Sequence, residues 1–366
     1  MRAAILEKVG EPIQIYDDVE IMEPRAGEIR VAVKYCGLCN SDLGVLTGKF
    51  PIEDPIILGH EAAGYVESVG HGVTHLAPGD PVVLTPLPPC GICYYCQRGD
   101  HSLCVNGISL ATMALADGET GLRHRDHRVL RGLGVAALAE QVVTPATGAV
   151  KIPEGVPLDT ACVIGCAVQT GAGAVINTAG VEEGATVLMM GLGGIGLSAV
   201  QGAVIAGAST IIASDPNAER RYMATKFGAT HTIDPINEDI AALVIETTGG
   251  FGMDYVFETA GVAALIEQGI ALTRSGGTTV CVGAPPVEAG VTINNVVMFG
   301  TMEKKLCGCL MGSSNALRDI PRLVRLWQAG RLDLDSMITG RRPLEEVNEG
   351  FADLQAGKGI RTVIEL

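Results

Sequence analysis

The stretch "ATVLMMGLGGIGLSAV" restricts the fold more than any other part of this 366-residue chain. It carries the pattern G-x-G-x-x-G, formed by Gly191, Gly193 and Gly196, between a strand-like apolar run and a helix-like run. A second apolar run follows and ends in Asp215. In this context the glycines allow a pyrophosphate to approach the backbone at a helix N-terminus, and the acidic residue accepts hydrogen bonds from a ribose. The pattern therefore predicts a dinucleotide site. A carboxylate at 215 would repel the 2′-phosphate of NADP and favours NAD, although Asp215 as a simple helix cap is the alternative.

The surrounding sequence alternates between strands and helices. Between about 168 and 310, runs such as "STIIASD" and "MDYVFETA" alternate with Ala-rich runs such as "AERRYMATKFG", which predicts an α/β domain with a parallel, doubly wound sheet. Before about residue 160, the Val-rich runs "EIRVAVKYCGL", "AAGYVESVG" and "DPVVLTP" are cut by Gly, Pro and Asp and predict a β-rich region. The tail is expected to hold two helices and a final strand, "RTVIEL".

Charge and hydropathy exclude some classes of function. The 26 basic and 41 acidic side chains give a formal net charge of −15, which disfavours a nucleic-acid partner. No apolar run reaches the roughly 20 residues of a membrane span, and "MRAAILEKVGEPIQIY" has no signal-peptide core. We therefore expect a cytoplasmic protein that binds neither nucleic acid nor membrane. In that compartment the 11 cysteines are expected to bind metal or pack rather than form disulfides.

Four of these cysteines are closely spaced in "PCGICYYCQRGDHSLC", at Cys90, Cys93, Cys96 and Cys104. A disulfide knot, a redox pair and a zinc module are the alternatives. A thioredoxin-like site would have a single C-x-x-C pair rather than four cysteines in a row.

Further metal-ligand types are scattered over three segments. "YCGLCNSDLG" holds Cys36 and Cys39, "ILGHEAAG" holds His60 and Glu61, and "VIGCAVQTG" holds Cys162 and Cys166. Two cysteines and a histidine with an open fourth position form one known type of catalytic zinc site. No spacing rule links these segments, and each cysteine alone is equally explained as small core filler.

Taken together, these motifs carry a resemblance. "GLCNSDL", "GHEAAG", C-x2-C-x2-C-x7-C, "GCAVQTG", "GLGGIG" and "GIRTVIEL" occur in the order of the zinc-dependent medium-chain alcohol dehydrogenases, and the similarity covers essentially the whole chain. The resemblance implies an α/β protein with a GroES-like β-rich catalytic domain and a Rossmann coenzyme domain. The expected bounds are 1–167 with 311–366 for the catalytic domain, 89–104 for its structural-zinc lobe, and 168–310 for the coenzyme domain.

The resemblance also implies residue roles. Cys39, His60 and Cys166 match catalytic zinc ligands, and the four clustered cysteines match a second, structural zinc, so two zinc ions per chain are expected. Glu61 matches an acidic neighbour that can approach the metal, Ser41 a hydroxyl that binds the substrate oxygen, and Asp42 a carboxylate that orients the histidine. The cofactor side is expected to involve Gly191, Gly193, Gly194, Ile195, Gly196, Asp215, Arg220, Asn40 and Arg361, the last as a pyrophosphate contact. The cysteines left without a ligand role are expected to be buried thiols: Cys36, Cys162, Cys281, Cys307 and Cys309.

The chain departs from the family at several positions. Gly44 stands where many relatives carry a proton-relay histidine, which predicts a shortened relay that starts at Ser41. Asn40 is neutral where relatives often carry Arg or His, which predicts weaker NADH retention. Pro86 and Leu87 replace a bulky aromatic region, which predicts a larger apolar substrate such as a long-chain or aryl alcohol.

The implied reaction is the reversible oxidation of an alcohol to an aldehyde or ketone, with hydride transfer to NAD⁺. The alternative is a thiol-adduct formaldehyde dehydrogenase, which needs a cationic anchor; the candidates lie in "RHRDHRVLR", a stretch equally explained as a solvated charged loop. A catalytically silent protein of the same fold would be expected to lack one of the three ligands. By analogy, the length of the stretch from Cys104 to Cys166 predicts a homodimer that forms through the coenzyme domains near residues 283–309.

Overall fold

The computed structural model describes residues 1–53 and 55–366. The chain divides into two compact units, residues 1–167 with 315–366 (unit 1) and residues 168–314 (unit 2). The chain thus returns from unit 2 to unit 1 at residue 315, whereas the expected boundary was 311. Residues up to 314 stay with unit 2 because the Asn177 side chain donates to the Gly312 carbonyl at 3.2 Å and the Thr178 and Ser313 hydroxyls are 2.8 Å apart.

Twenty strands occur in the described residues. In chain order they are β1 (Ala3–Leu6), β2 (Gln14–Tyr16), β3 (Glu20–Ile21), β4 (Glu28–Gly37), β5 (Ile56–Ile57), β6 (Glu61–Val69), β7 (Pro81–Leu84), β8 (Leu122–His124), β9 (His127–Arg128), β10 (Leu130–Arg131), β11 (Gln141–Pro145), β12 (Ala149–Lys151), β13 (Thr186–Met190), β14 (Thr210–Ser214), β15 (His231–Ile233), β16 (Met253–Glu258), β17 (Thr273–Cys281), β18 (Lys305–Gly308), β19 (Ile338–Pro343) and β20 (Arg361–Glu365).

The α-helices in the same residues are α1 (Asn40–Leu46), α2 (Tyr94–Arg98), α3 (Ser109–Thr112), α4 (Leu158–Ala161), α5 (Ala167–Gly173), α6 (Gly194–Ala206), α7 (Ala218–Lys226), α8 (Ile240–Thr248), α9 (Ala263–Leu272), α10 (Val296–Thr301), α11 (Ala316–Gln328) and α12 (Val347–Gln355).

Unit 2 contains a six-stranded parallel sheet in the order β15-β14-β13-β16-β17-β18. Numbered along the chain, this is the 3-2-1-4-5-6 order of a Rossmann domain. The central strands are apolar over their length because helices cover both faces of such a sheet, and Leu188, Ile212 and Val256 are fully buried. The predicted doubly wound sheet is confirmed.

A polar contact ties three of these strands together. Asp254 on β16 accepts hydrogen bonds from the amide and hydroxyl of Thr186 at 2.7 and 2.8 Å, and from Arg274 Nε at 2.5 Å. Burial alone would raise the pKa of Asp254, but the hydrogen bonds from Thr186 and the ion pair with Arg274 outweigh burial and lower that pKa.

Unit 1 is built mainly from antiparallel strands, as predicted for a GroES-like β-rich domain. Its largest sheet runs β12-β7-β6-β4-β20-β19, and β11 also pairs with β4. The long strand β4 pairs with β6 over almost its entire length, and β20 joins the end of β4 at Cys36–Gly37. This junction matters for the site, because α1 starts three residues after Gly37.

Some details differ from the sequence-based expectations. Helix α11 begins at Ala316, earlier than the run "IPRLVRLWQAG" indicates, because the Asp319 carboxylate accepts from the Asn315 amide at 3.0 Å and holds the first turn. Cys36 and Cys162 are buried as expected, but Cys281, Cys307 and Cys309 are only half-buried because they lie at the β17–β18 edge of the sheet. Among the described residues no single helix is long and apolar enough to span a membrane, although the bent pair Leu158–Gly165 and Ala167–Ala179 passes by length and composition.

Candidate functional site

Four buried metal-ligand side chains meet in unit 1. The donor atoms of Cys39, His60, Glu61 and Cys166 all lie within 4.8 Å of one another, and all four residues are buried. Ligands of a tetrahedral zinc ion stand about 2.0–2.3 Å from the metal, so donors this close together can share one ion. The donor set, two thiols, an imidazole and a carboxylate, is one that binds zinc.

Three separate backbone segments supply these donors. Cys39 is the residue immediately before helix α1, with extended backbone angles of φ −120° and ψ 152°. His60 directly precedes β6, and Glu61 is the first residue of that strand. Cys166 lies in the single-residue break between the short 3-10 helix Cys162–Gly165 and α5. Each donor therefore stands at the end of a regular element, where the backbone leaves its repeating geometry.

Asp42 fixes the orientation of the histidine. Its Oδ1 atom accepts from the Gly59 amide at 2.9 Å and lies 3.1 Å from His60 Nδ1, and both side chains are fully buried. With Nδ1 engaged as a donor, the proton-free Nε2 is left to bind a metal. The structure thus places Asp42 where the sequence comparison predicted it.

Glu61 is a buried carboxylate with an unusual balance of contacts. Neither carboxylate oxygen has a hydrogen-bond partner, and the nearest cation is Arg361, whose Nη2 lies 3.4 Å from Glu61 Oε1. Burial raises the pKa of Glu61 to about 8, and the neighbouring Arg361 opposes that rise. A carboxylate so poorly hydrogen-bonded is suited to a cation, because a divalent ion would satisfy its lone pairs.

Arg361 itself is 3 % exposed and lies in β20. Its Nη1 donates to the Leu38 carbonyl at 3.0 Å, one residue before Cys39. In unit 1 the side chain is therefore engaged with Glu61 and the Cys39 segment. Its expected contact with a cofactor pyrophosphate stays a prediction.

The two thiols of the buried cluster interact, and their pKa values move in opposite directions, that of Cys39 down and that of Cys166 up. The hydrogen bond from Cys166 lowers the pKa of Cys39, and the nearby His60 and Arg361 lower it further against the effect of burial. Metal binding requires the thiolate form. The surroundings of Cys39 therefore favour the form of the thiol that binds metal.

Cys90, Cys93, Cys96 and Cys104 form a second cluster. The Sγ atoms of Cys90 and Cys96 are 4.0 Å apart and those of Cys93 and Cys104 are 3.9 Å apart. A zinc ion with four sulfur ligands at about 2.3 Å has sulfur–sulfur edges of about 3.8 Å. The amides of Cys96 and Val105 donate to Cys93 and lower the pKa of its thiol to about 6. Four thiolates fill a tetrahedral ion, so this cluster fits a structural zinc rather than a catalytic one.

In unit 2 the glycine loop forms a cradle at the start of α6. Gly191 has φ +98°, a left-handed conformation, and a Cβ on Gly196 would collide with the Gly191 carbonyl oxygen. At Gly193 a Cβ would meet nothing within 4 Å, so a side chain there would project into the open space before Gly194 and Ile195. No side chain caps the N-terminus of α6, and the first amides of a helix have no partner within it, so the loop fits the pyrophosphate of a dinucleotide.

Asp215 follows β14, beside this loop. Its Oδ2 accepts from the Leu192 amide at 2.7 Å and its Oδ1 from the Asn217 amide at 2.8 Å. Each oxygen retains a lone pair for a further donor. The cap of α7 is Asn217, which accepts from the amides of Glu219 and Arg220, so Asp215 is not the helix cap.

The other residues predicted to take part in the site differ in their burial. Ser41 Oγ is 3.8 Å from Cys39 Sγ, whereas Asn40 is exposed at the start of α1. Pro86 and Leu87 are both buried. Arg220 is half-buried on α7.

Sequence reasoning missed Phe50. A Cβ on Gly44 would lie 2.6 and 2.7 Å from Phe50 Cε2 and Cδ2, so the ring fills the space in which a side chain at position 44 would start. An aromatic residue six positions after a helical glycine gives no periodic signal. The one signal in the sequence was the pairing of a glycine, Gly44, with a large apolar residue, Phe50, six positions later.

Sequence reasoning also left open the role of Arg131. This side chain is 1 % exposed and donates to the carbonyls of Thr120, Gly134, Val135 and Val143. Burial lowers its pKa to about 10. Arg131 therefore holds the surrounding loops together and is not available to a ligand.

Comparison with known proteins agrees with this geometry. Residues 25–154 match the family model of the alcohol dehydrogenase GroES-like domain, and residues 194–328 match that of the zinc-binding dehydrogenases. The chain is 40 % identical to an NDMA-dependent alcohol dehydrogenase of Amycolatopsis methanolica, over 99 % of this chain and 98 % of the relative.

Two solved structures are similar over the full chain. A zinc-binding-domain alcohol dehydrogenase protein from Burkholderia ambifaria has a TM-score of 0.94 and 37 % identity, and covers 100 % of this chain and 98 % of its own. Benzyl alcohol dehydrogenase from Acinetobacter calcoaceticus has a TM-score of 0.94 and 30 % identity, with coverage of 100 % and 99 %. The chain therefore belongs to the zinc-type medium-chain alcohol dehydrogenase family.

Proposed function

We propose that this protein is an NAD-dependent zinc enzyme that reversibly oxidises alcohols to aldehydes or ketones. The observation that carries the proposal is the buried group of Cys39, His60, Glu61 and Cys166, whose donor atoms lie within 4.8 Å of one another. Two thiolates and an imidazole make three ligands and leave a position for substrate. A zinc ion in such a site supplies Lewis acidity, which favours ionisation of an alcohol hydroxyl.

The chain's own residues have separate tasks in this proposal. Asp42 holds His60 in one tautomer and one orientation through the 3.1 Å contact to Nδ1. Ser41, two residues after the proposed ligand Cys39, would hydrogen-bond the substrate hydroxyl and accept its proton while giving its own hydroxyl proton onward. With Gly44 in place of a titratable side chain, the proton that Ser41 gives up would go to water or to a hydroxyl group of the bound cofactor.

The cofactor proposed is NAD, held by the glycine loop of unit 2. The support is the cradle at Gly193 and the carboxylate of Asp215, which would repel a 2′-phosphate. A nicotinamide cofactor accepts the hydride, and the protein's contribution is to bind and orient it. Because one relative is described as NDMA-dependent, the electron acceptor is the part of the proposal that most needs a direct test.

We propose an apolar alcohol larger than ethanol as substrate. Pro86 and Leu87 are buried apolar residues without an aromatic ring, four and three positions before Cys90, in a stretch where the family often carries a bulky aromatic residue. One similar solved structure is a benzyl alcohol dehydrogenase, which supports aryl alcohols as the first class to try.

The experiment is a substrate screen with purified, metal-analysed protein. Alcohols of graded length and aromaticity are oxidised with NAD⁺ or NADP⁺, with and without NDMA, and reduced nicotinamide and carbonyl product are both measured. We expect aryl or long-chain alcohols to yield equal amounts of both with NAD⁺ alone. Carbonyl product only in the presence of NDMA would refute free NAD⁺ as acceptor, and no product in any arm from zinc-loaded protein would refute the function itself.

A matched pair of variants links activity to the cluster. Cys166→Ser removes a proposed ligand, whereas Cys162→Ser alters a buried thiol four residues earlier that is not in the cluster. We expect the first to lose one zinc and its activity, and the second to keep both. Equal zinc and activity in both variants would contradict the ligand assignment.

The thiol-adduct formaldehyde reaction is the second candidate, and one cavity bears on it. Arg128 lines an open cavity of about 540 Å³ in unit 1, together with Ile52 and Met113. Arg131 is committed to backbone carbonyls, and of the arginines of "RHRDHRVLR" Arg128, which donates to the Gly118 carbonyl at 2.6 Å, is the one that lines this cavity. Adding glutathione-type thiols to the formaldehyde arm tests it: a thiol-dependent rate that falls in Arg128→Gln would favour this second function over the first.

We also propose a homodimer that forms through unit 2 near residues 283–309. Strand β18 is the last strand of the six-stranded sheet, and Leu306 in it is 37 % exposed. Val296 and Val297 on α10 are about 70 % exposed. An unpaired edge strand beside exposed apolar side chains is a typical site of association between copies. Val297→Asp should halve the mass of the particle measured by light scattering, and an unchanged mass would contradict the proposal.

A further inference from the structure

Three neighbouring strands of the unit 2 sheet end at the same level. The last residues of β14 and β16 both pair with Met190, the last residue of β13. The residues that follow these strands, Gly191, Asp215 and Thr259, therefore lie together at the carboxyl edge of the sheet, where folds of this kind bind their ligands. Asp215 already has a proposed role at this edge, and Thr259 has none.

One peptide group of the glycine loop is held from both sides. The Thr259 hydroxyl donates to the Gly191 carbonyl oxygen at 2.7 Å, and it also lies 3.2 Å from the Met190 carbonyl oxygen. The Leu192 amide donates to Asp215 Oδ2 at 2.7 Å. The Gly191 carbonyl and the Leu192 amide belong to the same planar peptide, in which they point in opposite directions. Thr259 and Asp215 therefore fix this peptide in one orientation.

This peptide needs such support because it adjoins a glycine. Gly191 has φ +98°, and without a side chain it offers little steric resistance to rotation of the peptide that follows it. A reversed peptide would turn the Gly191 carbonyl oxygen toward the Asp215 carboxylate, which repels it. The two side chains thus select an orientation that the backbone alone does not enforce.

The same carbonyl group determines how helix α6 starts. A Cβ on Gly196 would collide with the Gly191 carbonyl oxygen and would lie 2.9 Å from Thr259 Oγ1, so the first turn of α6 packs directly against both groups. The amides of this turn are the ones that fit a pyrophosphate. A change in the direction of the Gly191 carbonyl would therefore displace the phosphate-binding end of the helix.

We propose that Thr259 is a positioning residue for the dinucleotide. Its hydroxyl holds the glycine loop and the start of α6 in the conformation that receives the pyrophosphate, before the cofactor binds; this inference rests on the NAD site proposed above. A loop that is already ordered loses less entropy on binding. Because the loss of one such hydrogen bond leaves a carbonyl without its partner, removal of the hydroxyl should weaken dinucleotide binding roughly tenfold.

The test compares three variants of the zinc-loaded, full-length protein. Thr259→Val removes the hydroxyl and keeps the shape of the side chain, and Thr259→Ser keeps the hydroxyl. Thr186→Val is the matched control, because the Thr186 hydroxyl also joins β13 to β16, through Asp254, but at the opposite end of β13.

Three quantities are measured on each variant. Calorimetry gives the affinity for NADH and for ADP-ribose, which has the pyrophosphate but no nicotinamide. Hydrogen exchange of residues 190–196 in the cofactor-free protein reports the order of the loop, and thermal unfolding reports the stability of the fold.

We expect Thr259→Val to bind both ligands roughly tenfold more weakly and to exchange faster in the loop. Thr259→Ser should keep the affinity of the unmodified protein, and Thr186→Val should keep it as well, although its unfolding midpoint falls. This pattern would separate the hydroxyl of Thr259 from a general effect on the sheet.

Four outcomes would overturn the inference. Unchanged affinity in Thr259→Val would do so while leaving the NAD site intact, and an equal loss in Thr259→Ser or in Thr186→Val would show that the hydroxyl of Thr259 is not the cause. Weaker binding without faster exchange would indicate direct contact between the hydroxyl and the cofactor rather than positioning. Absence of binding by the unmodified protein would refute the proposed NAD site itself, and this inference with it.

Discussion

Replacement of Gly44 by alanine tests whether Phe50 has taken the space of a missing side chain. Gly44 lies inside helix α1, where glycine is usually the less stable residue. A Cβ at this position would stand 2.6 Å from Phe50 Cε2, closer than nonbonded carbon atoms approach. We therefore expect Gly44→Ala to destabilise the protein, although the helix alone would favour it.

The magnitude follows from two opposing effects. Alanine in place of glycine inside a helix stabilises by roughly 0.5–1 kcal/mol. An extra carbon pressed into a packed region costs roughly 1–3 kcal/mol. The single variant should thus lose up to about 2.5 kcal/mol, whereas in a Phe50→Leu background, without the ring, alanine should gain roughly 0.5–1 kcal/mol.

The assay is a double-mutant cycle of thermal unfolding midpoints on zinc-loaded protein. Neighbours that share space show coupling free energies of roughly 0.5–3 kcal/mol, and 1 kcal/mol corresponds to about 2–4 °C in units of 150–250 residues. Stabilisation by Gly44→Ala in both backgrounds, with no coupling, would refute the role given to Phe50.

The same geometry governs a histidine at this position. The Cβ of Gly44→His would meet the same Phe50 ring, so the histidine is best tested with Phe50→Ala in the same protein, which clears that space. We expect the double variant, but neither single variant, to raise turnover or shift its pH profile where proton release limits the rate. An unchanged profile in a stable double variant would count against a relay shortened at Gly44.

Three further predictions concern the folded state and the metals. Asp254→Asn should cost roughly 1–3 kcal/mol at neutral pH, since it breaks the ion pair with Arg274. Because the pKa of Asp254 is lowered in the folded state, its contribution to stability is complete above the unfolded pKa of about 3.9 and is lost as the pH falls through the folded pKa. The difference in unfolding free energy between the unmodified protein and Asp254→Asn should therefore be smaller below about pH 4 than at pH 7. A difference that grows at low pH would contradict the assignment. Asp42→Asn should weaken metal binding or activity about 10–100-fold by releasing His60, as zinc content and kcat/KM would show, and unaltered values would argue against that role. Cys93→Ser should reduce zinc from two ions per chain to one and lower the unfolding midpoint while the remaining ion stays, and elemental analysis that still finds two would disprove the Cys₄ site.

The parts of this site that sequence could predict are the local ones. The glycine loop and Asp215 lie within one strand–helix–strand unit, so spacing alone fixes their geometry, and the structure places them together. Cys90 and Cys104 are likewise close in the chain. The catalytic donors come from segments more than 100 residues apart, and only the resemblance to a family, not spacing, predicted that Cys39 and Cys166 meet.

The parts that sequence could not predict depend on packing between distant segments. Nothing near Arg361 indicates that β20 would place its guanidinium against Glu61, because that contact arises from the pairing of β20 with the end of β4. The partial exposure of Cys307 and Cys309 follows from the position of β18 at the sheet edge, which depends on strand order rather than on local composition. Cysteine is a residue type that is usually buried, but the position of its strand in the sheet determines whether it actually is.

Close backbone contact, rather than the ligands alone, brings the catalytic donors together. Gly59 directly precedes His60 and has φ +92°, and a Cβ there would lie 2.7 Å from the Leu138 amide and 2.8 Å from Cys36 Sγ. Gly165 directly precedes Cys166, and a Cβ there would collide with the Leu84 carbonyl oxygen. In both places a side chain would push the ligand-bearing segment away from its neighbour by more than the few tenths of an ångström that a zinc–ligand bond tolerates. The glycines before His60 and Cys166 are therefore as much a condition of the metal site as the donors, because no choice of ligand type compensates for a backbone that stands too far away.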